Sequence, residues 1–327
     1  MNNRIQYIDR LKGLAILLVV IGHLMAFCTG GGRNPIFEVI CSFHMPLFMF
    51  LSGLVMSHTP PHCFSAKYLG QKALRFLLPM LWIGLLFTYT GGQDLMAFAA
   101  DRYKQGYWYL YVLTLFYLLM FVYSKLPSVK RPWLPDVAYL AFWQVVFMFA
   151  DRVLGQNVSD MTGISMCRGY WLYFFLGYMV RRHGWAEWLS EHNWLFTLAL
   201  VSYVPLLYAY ETGVFVRFGQ VLPITAIIVL VYLFRLREHE TSRVERSLST
   251  IGRATLDIYV LHYFVLRIIN LTDVAAYLHR TSNYLLELVL LVCMALAVAG
   301  VCMFMGKVMR QSNIIKGVVY GETAHKK

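Results

Sequence analysis

Apolar runs of about twenty residues recur along this chain, separated by charged residues or by Gly and Pro. Ten stand out, at 13–29, 36–56, 73–90, 107–124, 133–150, 168–181, 193–210, 214–234, 250–271 and 283–306. At ~1.5 Å of rise per residue, a run of this length matches the ~30 Å hydrocarbon layer of a bilayer. The pattern therefore predicts an all-α integral membrane protein of about ten transmembrane helices. The sixth run is short for a crossing unless residues 161–167 join it. The stretch 91–106 is too polar to cross and is expected along the membrane surface. The only long charged stretch, 235–249, is expected as a cytoplasmic loop or short helix. No repeat of 20–50 residues is visible, which counts against an inverted-repeat carrier.

Composition agrees with lipid as the solvent. Of 327 residues, 59% are hydrophobic and 14% charged, against roughly a quarter charged in soluble domains. A soluble enzyme, a disordered chain and a disulfide scaffold are excluded together. A single polytopic domain over 1–327 is expected, with the cytoplasmic loop 235–249 and a short cytoplasmic tail 307–327, in the inner (cytoplasmic) cell membrane. Assigning the 29 lysines and arginines to alternate sides puts all but Arg33, Arg102, Lys104, Arg152, Arg168, Arg217, Arg267 and Arg280 on one face. By the positive-inside rule that face is cytoplasmic and holds both termini. The net charge of +12 then reflects orientation, and no nucleic-acid partner is expected. The six cysteines are scattered without C-x-x-C or other metal-like spacing, so no metal is expected. The first run follows a basic start, but no small-residue cleavage site follows it, so it reads as a retained helix and not a signal peptide.

Ionisable residues inside a span are costly in lipid and point to function. His23 falls near mid-bilayer in the first run. Lys12 lies eleven residues earlier, only ~20° away around the helix, and Asp9 fourteen earlier and ~40° away. Asp9, Lys12 and His23 thus form one stripe from the cytoplasmic mouth inward, while Arg10 points elsewhere. In the second run His44 lies at similar depth, and Pro46 frees a backbone carbonyl one turn before it. A neutral imidazole can take a proton from a hydroxyl as that oxygen attacks a carbonyl. Lys67, Lys72 and Arg75 precede the third helix. They read either as ordinary positive-inside flanking or, with Lys12, as holders of the phosphates of a nucleotide-like cofactor. Trp108 and Tyr109 open the fourth helix at the outer interface. Asp257, Tyr259 and His262 lie within two turns of the ninth, with Asp257 and His262 separated by ~140°.

At these residues the chain resembles the membrane-bound acyltransferase 3 family, and within it the fucose 4-O-acetylase-like branch. The resemblance rests on residues 4–13 (RIQYIDRLKG) with His23 completing a basic-x10-His motif, on residues 42–53 (SFHMPLFMFLSG), and on the basic run ending Arg75-Phe76-Leu77-Leu78-Pro79. Trp108-Tyr109-Leu110 and the segment from Ile251-Gly252-Arg253 to Tyr259-Val260-Leu261-His262 also fit. It implies a ten-helix enzyme using acetyl-CoA or a similar acyl-CoA from the cytoplasm, with a hydroxyl acceptor, usually on a sugar. It implies that His23 is the catalytic base with Asp9 orienting or charging it, and that Lys12 and Arg75 contact CoA or the acyl carbonyl. Lys12 stands where many members have Arg, and the soluble hydrolase-like domain that some members carry is not expected.

The leading expectation is an O-acyltransferase moving an acyl group from cytoplasmic acyl-CoA to a carbohydrate or glycolipid in the membrane. Asp9, His23 and His44 are its catalytic candidates, Lys12 and Arg75 its CoA ligands. Trp108, Tyr109, Tyr259 and His262 are candidates for the substrate cavity. The rivals are a proton-coupled transporter or flippase relaying protons through the midplane histidines, and a silent assembly subunit for polysaccharide export.

Overall fold

The computed structural model describes residues 5–30, 34–56, 64–126, 133–213 and 220–322. Every regular element among them is helical. In chain order the helices are α1 (Gln6–Cys28), α2 (Pro35–Met56), α3 (Ala66–Thr90), α4 (Leu95–Ala100), α5 (Trp108–Tyr123), α6 (Trp133–Val153), α7 (Gly155–Thr162), α8 (Ile164–Arg182), α9 (Trp185–Glu191), α10 (Asn193–Glu211), α11 (Leu222–Leu236), α12 (Arg243–Arg253), α13 (Thr255–Leu266), α14 (Thr272–Arg280), α15 (Tyr284–Met309) and α16 (Asn313–Val318). Among the described residues six helices, α1, α2, α3, α6, α10 and α15, are long and apolar enough to cross a membrane, while α5, α11 and α13 are apolar but shorter.

Two segments differ from the sequence pattern in detail. The short sixth run gains a turn at its start, because α8 begins at Ile164. The run 250–271 is not one helix: it breaks at Ala254, where the backbone leaves helical geometry (φ −99°, ψ 14°), and α13 ends at Leu266. The charged stretch 235–249 becomes helix α12 from Arg243 onward. The polar stretch 91–106 holds α4 and a 3-10 turn at Lys104–Gly106. The first residues of the predicted run 214–234 lie outside the described residues, and α11 starts at Leu222.

The chain divides into two compact units, residues 1–51 with 184–306, and residues 52–183 with 307–327. In the first unit α1 is the core. Tyr7, Leu11, Ile16, Val20 and Leu24 have no exposed surface, and a helix apolar all round is stable only when other helices enclose it. By contrast α10 turns Leu198, Val201, Val204 and Tyr208 outward, a bare apolar stripe suited to lipid contact.

The closest approach in this unit joins α1 to α12. A Cβ on Gly13 would stand 2.1 Å from the Leu248 carbonyl oxygen, and one on Gly252 would stand 1.8 Å from that of Asp9. A single glycine on each helix, Gly13 and Gly252, permits backbone contact of this kind. Residue 9 meets 252 and residue 13 meets 248, so α12 runs antiparallel to α1. Beyond Ala254 the chain reverses. His262 meets His23 and the Leu266 carbonyl meets Cys28, so α13 climbs beside α1 in the same direction. The glycine contact thus sets the starting point of the helix that carries His262.

Arg10 locks the lower arm of this hairpin. It is 2% exposed, and a buried guanidinium is tolerated only when its donors find acceptors. It donates to the carbonyls of Arg237 and Glu240 and to Gln6 Oε1 at 3.1 Å, and pairs with Glu245 at 3.6 Å. Glu245 in turn completes a capping box with Ser242 at the start of α12 (2.9 and 3.2 Å), satisfying two backbone donors that the helix cannot satisfy itself.

The second unit packs around aromatic rings. Trp171 is fully buried among Phe116, Tyr139, Phe174 and Phe175 and donates its indole N–H to the Leu140 carbonyl at 3.2 Å. Lys104, 4% exposed, donates to the carbonyls of Ala99, Asp101, Asp160 and Met161 (2.7–3.3 Å). One ammonium thereby ties the α4 loop to the end of α7. Burial lowers its pKa from the ordinary lysine value, against the opposing pull of Asp101 and Asp160.

Candidate active site

The first unit brings two histidines together from opposite ends of the chain. His23 Nδ1 lies 2.9 Å from His262 Nε2, and the two rings stack with centroids 5.0 Å apart. His262 is fully buried. Its Nδ1 faces two backbone carbonyls of its own helix, Ile258 at 3.0 Å and Tyr259 at 2.8 Å. On the far side of His23, Nε2 lies 3.1 Å from the hydroxyl of Tyr263, while Phe27 closes the ring's flank at 5.8 Å. His23 itself is only partly buried, so one edge of the pair remains open.

His44 joins this neighbourhood through a missing side chain. Its Nε2 lies 4.0 Å from the position of a Cβ on Gly22, the residue before His23. Its Nδ1 is held 2.9 Å from the Ile40 carbonyl one turn back. Helix α2 continues through Pro46 unbroken, so the proline leaves the His44 turn in place.

The N-terminal members of the α1 stripe sit well away from the pair. Because α1 is one unbroken helix, Asp9 is ~21 Å and Lys12 ~16 Å from His23 along the axis. The expectation that Asp9 orients the imidazole therefore does not hold geometrically. A carboxylate side chain cannot span four turns, and His262 occupies the position beside Nδ1. Asp9 is buried and Lys12 half-buried at the level where Gly252 crosses. Arg10 does turn away from the stripe, into the 237–245 segment. Asp257 and His262 look different ways, as their angular separation predicts: the Asp257 carboxyl fills the space left by Gly306, 2.5 Å from where a Cβ would be, while His262 faces α1. Tyr259 is buried and contributes its carbonyl to His262.

The remaining candidates belong to the second unit. Tyr109 donates or accepts a 2.6 Å hydrogen bond with Ser52, and Trp108 lies against Tyr170 with centroids 4.7 Å apart; both are buried. Arg75 is exposed and lies within electrostatic reach of Lys72 and Tyr117. The C-terminal segment passes beside it, with Gly321 against the backbone of Leu74 and Arg75. Among the described residues no three His, Cys, Asp or Glu side chains are grouped as a metal ion requires.

Two participants escaped the sequence reading. Tyr263 carried no signal beyond its place next to His262, and Arg10 was set aside as pointing off the stripe. The His23–His262 pairing spans 239 residues, and two lone histidines in separate apolar runs do not announce that they meet.

Comparison with known proteins bears on what this constellation is for. Residues 5–304 match the family model described as an acyltransferase domain, the acyltransferase 3 family. The nodulation protein NolL of Mesorhizobium japonicum is 24% identical over 348 residues, covering 94% of this chain and 90% of that protein. The nodulation protein NolL of Sinorhizobium fredii is 33% identical over 132 residues, 36% of each chain. No solved structure matches.

Proposed function

The chain belongs to the acyltransferase 3 family, and from that membership we propose a membrane O-acyltransferase that moves an acyl group, acetyl in the first instance, from cytoplasmic acyl-CoA to a hydroxyl of a carbohydrate or glycolipid. The observation that carries the reading is the His23 ring, partly open, paired with His262 and already facing a hydroxyl at Nε2. That is the arrangement a general base needs around an O–H about to attack a carbonyl. His23 is the base, with His44 beside it. Lys12, at the cytoplasmic end of α1, and Arg75, exposed on α3, are the CoA ligands; each offers a cation to phosphate, and Lys12 does so as a point charge without the bidentate fork of Arg. Asp9 serves the cytoplasmic end with Lys12. Trp108, Tyr109 and Tyr259 remain the candidates for lining the substrate cavity. Ten spans with both termini cytoplasmic follow from the distribution of Lys and Arg.

Direct attack is the simpler mechanism. The acceptor hydroxyl gives its proton to His23, its oxygen bonds to the acyl carbon, the thioester C–S bond breaks, and the proton passes to the thiolate of CoA. The test is release of free CoA from acetyl-CoA by the purified protein, with and without sugar acceptors, for wild type, His23→Ala and Lys12→Ala. Loss of release in His23→Ala and a shift to higher acetyl-CoA concentration in Lys12→Ala are expected. The same two rings would serve a proton-coupled transporter as a relay. Acyl-CoA turnover in detergent separates the readings, because a carrier has no use for it.

A further inference from the structure

The hydrogen bonds around the histidine pair fix where the protons are. A backbone carbonyl only accepts, so His262 Nδ1, facing the carbonyls of Ile258 and Tyr259, carries the hydrogen. With the ring neutral, its Nε2 is then a bare lone pair. His23 Nδ1, 2.9 Å from that lone pair, must donate to it and so carries the hydrogen of the His23 ring. That leaves His23 Nε2 bare, and the Tyr263 hydroxyl 3.1 Å away donates to it. The opposite assignment needs His262 doubly protonated, a charge in a ring with no exposed surface and only neutral partners beside it, which burial disfavours strongly. With both rings neutral, one arrangement satisfies every contact.

We propose that His262 is a positioning residue that locks His23 in its Nδ1–H tautomer, making Nε2 the atom that accepts the substrate proton, and that the Tyr263 hydroxyl marks the place the acceptor hydroxyl takes. The role assigned to Nε2 rests on the acyltransferase reading, whereas the tautomer does not depend on it. When Nε2 accepts the proton of the attacking hydroxyl, the His23 ring becomes an imidazolium and its Nδ1–H bond to His262 becomes charge-assisted, which shortens and strengthens such bonds. When the thioester C–S bond breaks, the proton leaves Nε2 for the thiolate and both rings return to neutral. An imidazole serves here where soluble hydrolases use a carboxylate. A carboxylate inside the bilayer would need its own counter-ion at rest, whereas a neutral ring costs no buried charge until the proton moves.

The experiment is nitrogen NMR on 15N-histidine-labelled protein in lipid nanodiscs, without substrate, with His23→Gln to assign the His23 signals. A protonated Nδ1 and a bare Nε2 are expected for His23, and an Nε2–H tautomer would overturn the proposal whatever the activity. The kinetic arm compares two variants. His262→Leu removes the acceptor and is expected to lower kcat about 100-fold, in the range of general-base contributions, with the KM for acetyl-CoA within about threefold of wild type. His262→Gln restores an acceptor oxygen and is expected to recover kcat to within about tenfold of wild type. An unchanged kcat in His262→Leu, or a Gln variant as poor as Leu, would overturn the positioning role. If the tautomer is as stated but the wild type releases no CoA with any acceptor, it is the acyltransferase reading that fails.

Discussion

Each unit holds a polar cluster inside an apolar shell, and the two are built on opposite principles. In the first, His23, His262 and Tyr263 form a chain of neutral groups with one ring edge open. In the second, Asp136 is fully buried and saturated with charge and hydrogen bonds. It accepts from the Tyr123 hydroxyl, from Arg182 at 3.1 Å and from His183 at 2.7 Å, and Arg182 also reaches the hydroxyls of Tyr123 and Tyr178. A saturated carboxylate has no capacity left to exchange a proton with a substrate. It ties the ends of α5, α6 and α8 together. The neutral chain instead keeps a basic nitrogen facing a hydroxyl. A buried histidine is therefore a weak indicator of function by itself, and what it is bonded to decides the matter.

The comparison predicts that activity and stability separate cleanly between the clusters. His23→Ala is expected to lower acyl transfer by about 10²- to 10⁴-fold, the span of general-base contributions, with little change in the thermal unfolding midpoint in detergent. Asp136→Asn is expected to do the reverse. Removing one partner of a buried ion pair strands the others and costs roughly 3 kcal/mol. Unfolding should come several degrees earlier while kcat per folded molecule stays within about twofold, since a structural pair touches no reacting atom. If Asp136→Asn abolished transfer without lowering the midpoint, the division of labour between the clusters would be wrong.

A smaller effect is expected where the first unit sets its geometry. Gly252→Ala places a Cβ 1.8 Å from the Asp9 carbonyl. Backbone has to yield there, so α12 lifts from α1 at an overpacking cost of about 1–3 kcal/mol. Because α13 starts three residues later, His262 should move with it, and kcat should fall about tenfold, as small misplacements of reacting groups commonly cause. Gly300→Ala is the control, with nothing within 4 Å of its Cβ; replacing a helical glycine there should be neutral or stabilising by up to about 1 kcal/mol. Equal behaviour of the two variants in unfolding and turnover would remove the link between the glycine crossing and the pair.

Much of this was legible in the sequence, for identifiable reasons. Apolar run length fixed where helices lie, because lipid forces backbone hydrogen bonds to close within each segment. His23 and His44 stood out because an ionisable group in such a run needs a reason. Long-range pairing was not legible. The partner of His23 lies 239 residues away, and helical periodicity reports only which residues share a face of one helix. The stripe logic pointed to Asp9 because it is local, yet an unbroken helix keeps residues fourteen apart about 21 Å from one another. Arg10 does point off the stripe, but its partners were hidden for the same reason. Its acceptors are carbonyls of the 237–240 segment, and a backbone carbonyl leaves no trace in composition. The break at Ala254 was likewise hidden, since neither Arg253 nor Ala254 is a helix breaker.

The smallest effect concerns a charged contact that supports the histidine hairpin. Burial tends to raise the Glu245 pKa, but hydrogen bonds at Ser242 and the charges of Arg10 and Arg237 outweigh it and hold it below the ordinary value near 4.5. A carboxylate depressed in the folded state stabilises the fold fully above its unfolded pKa and loses that contribution as pH falls through the folded one. The capping box of α12 should therefore be intact at neutral pH and loosen in mild acid, with no counterpart in the neutral His23–His262 pair above it. Hydrogen exchange at the amides of residues 242–248, corrected for intrinsic rates, should quicken between about pH 5 and about pH 3 in the wild type. In Glu245→Gln those amides should exchange faster at both values and lose the dependence. Identical pH dependence in the two proteins would show that the Arg10–Glu245 contact does not hold the base of the hairpin. The positioning of His262 would then rest on the glycine crossing alone.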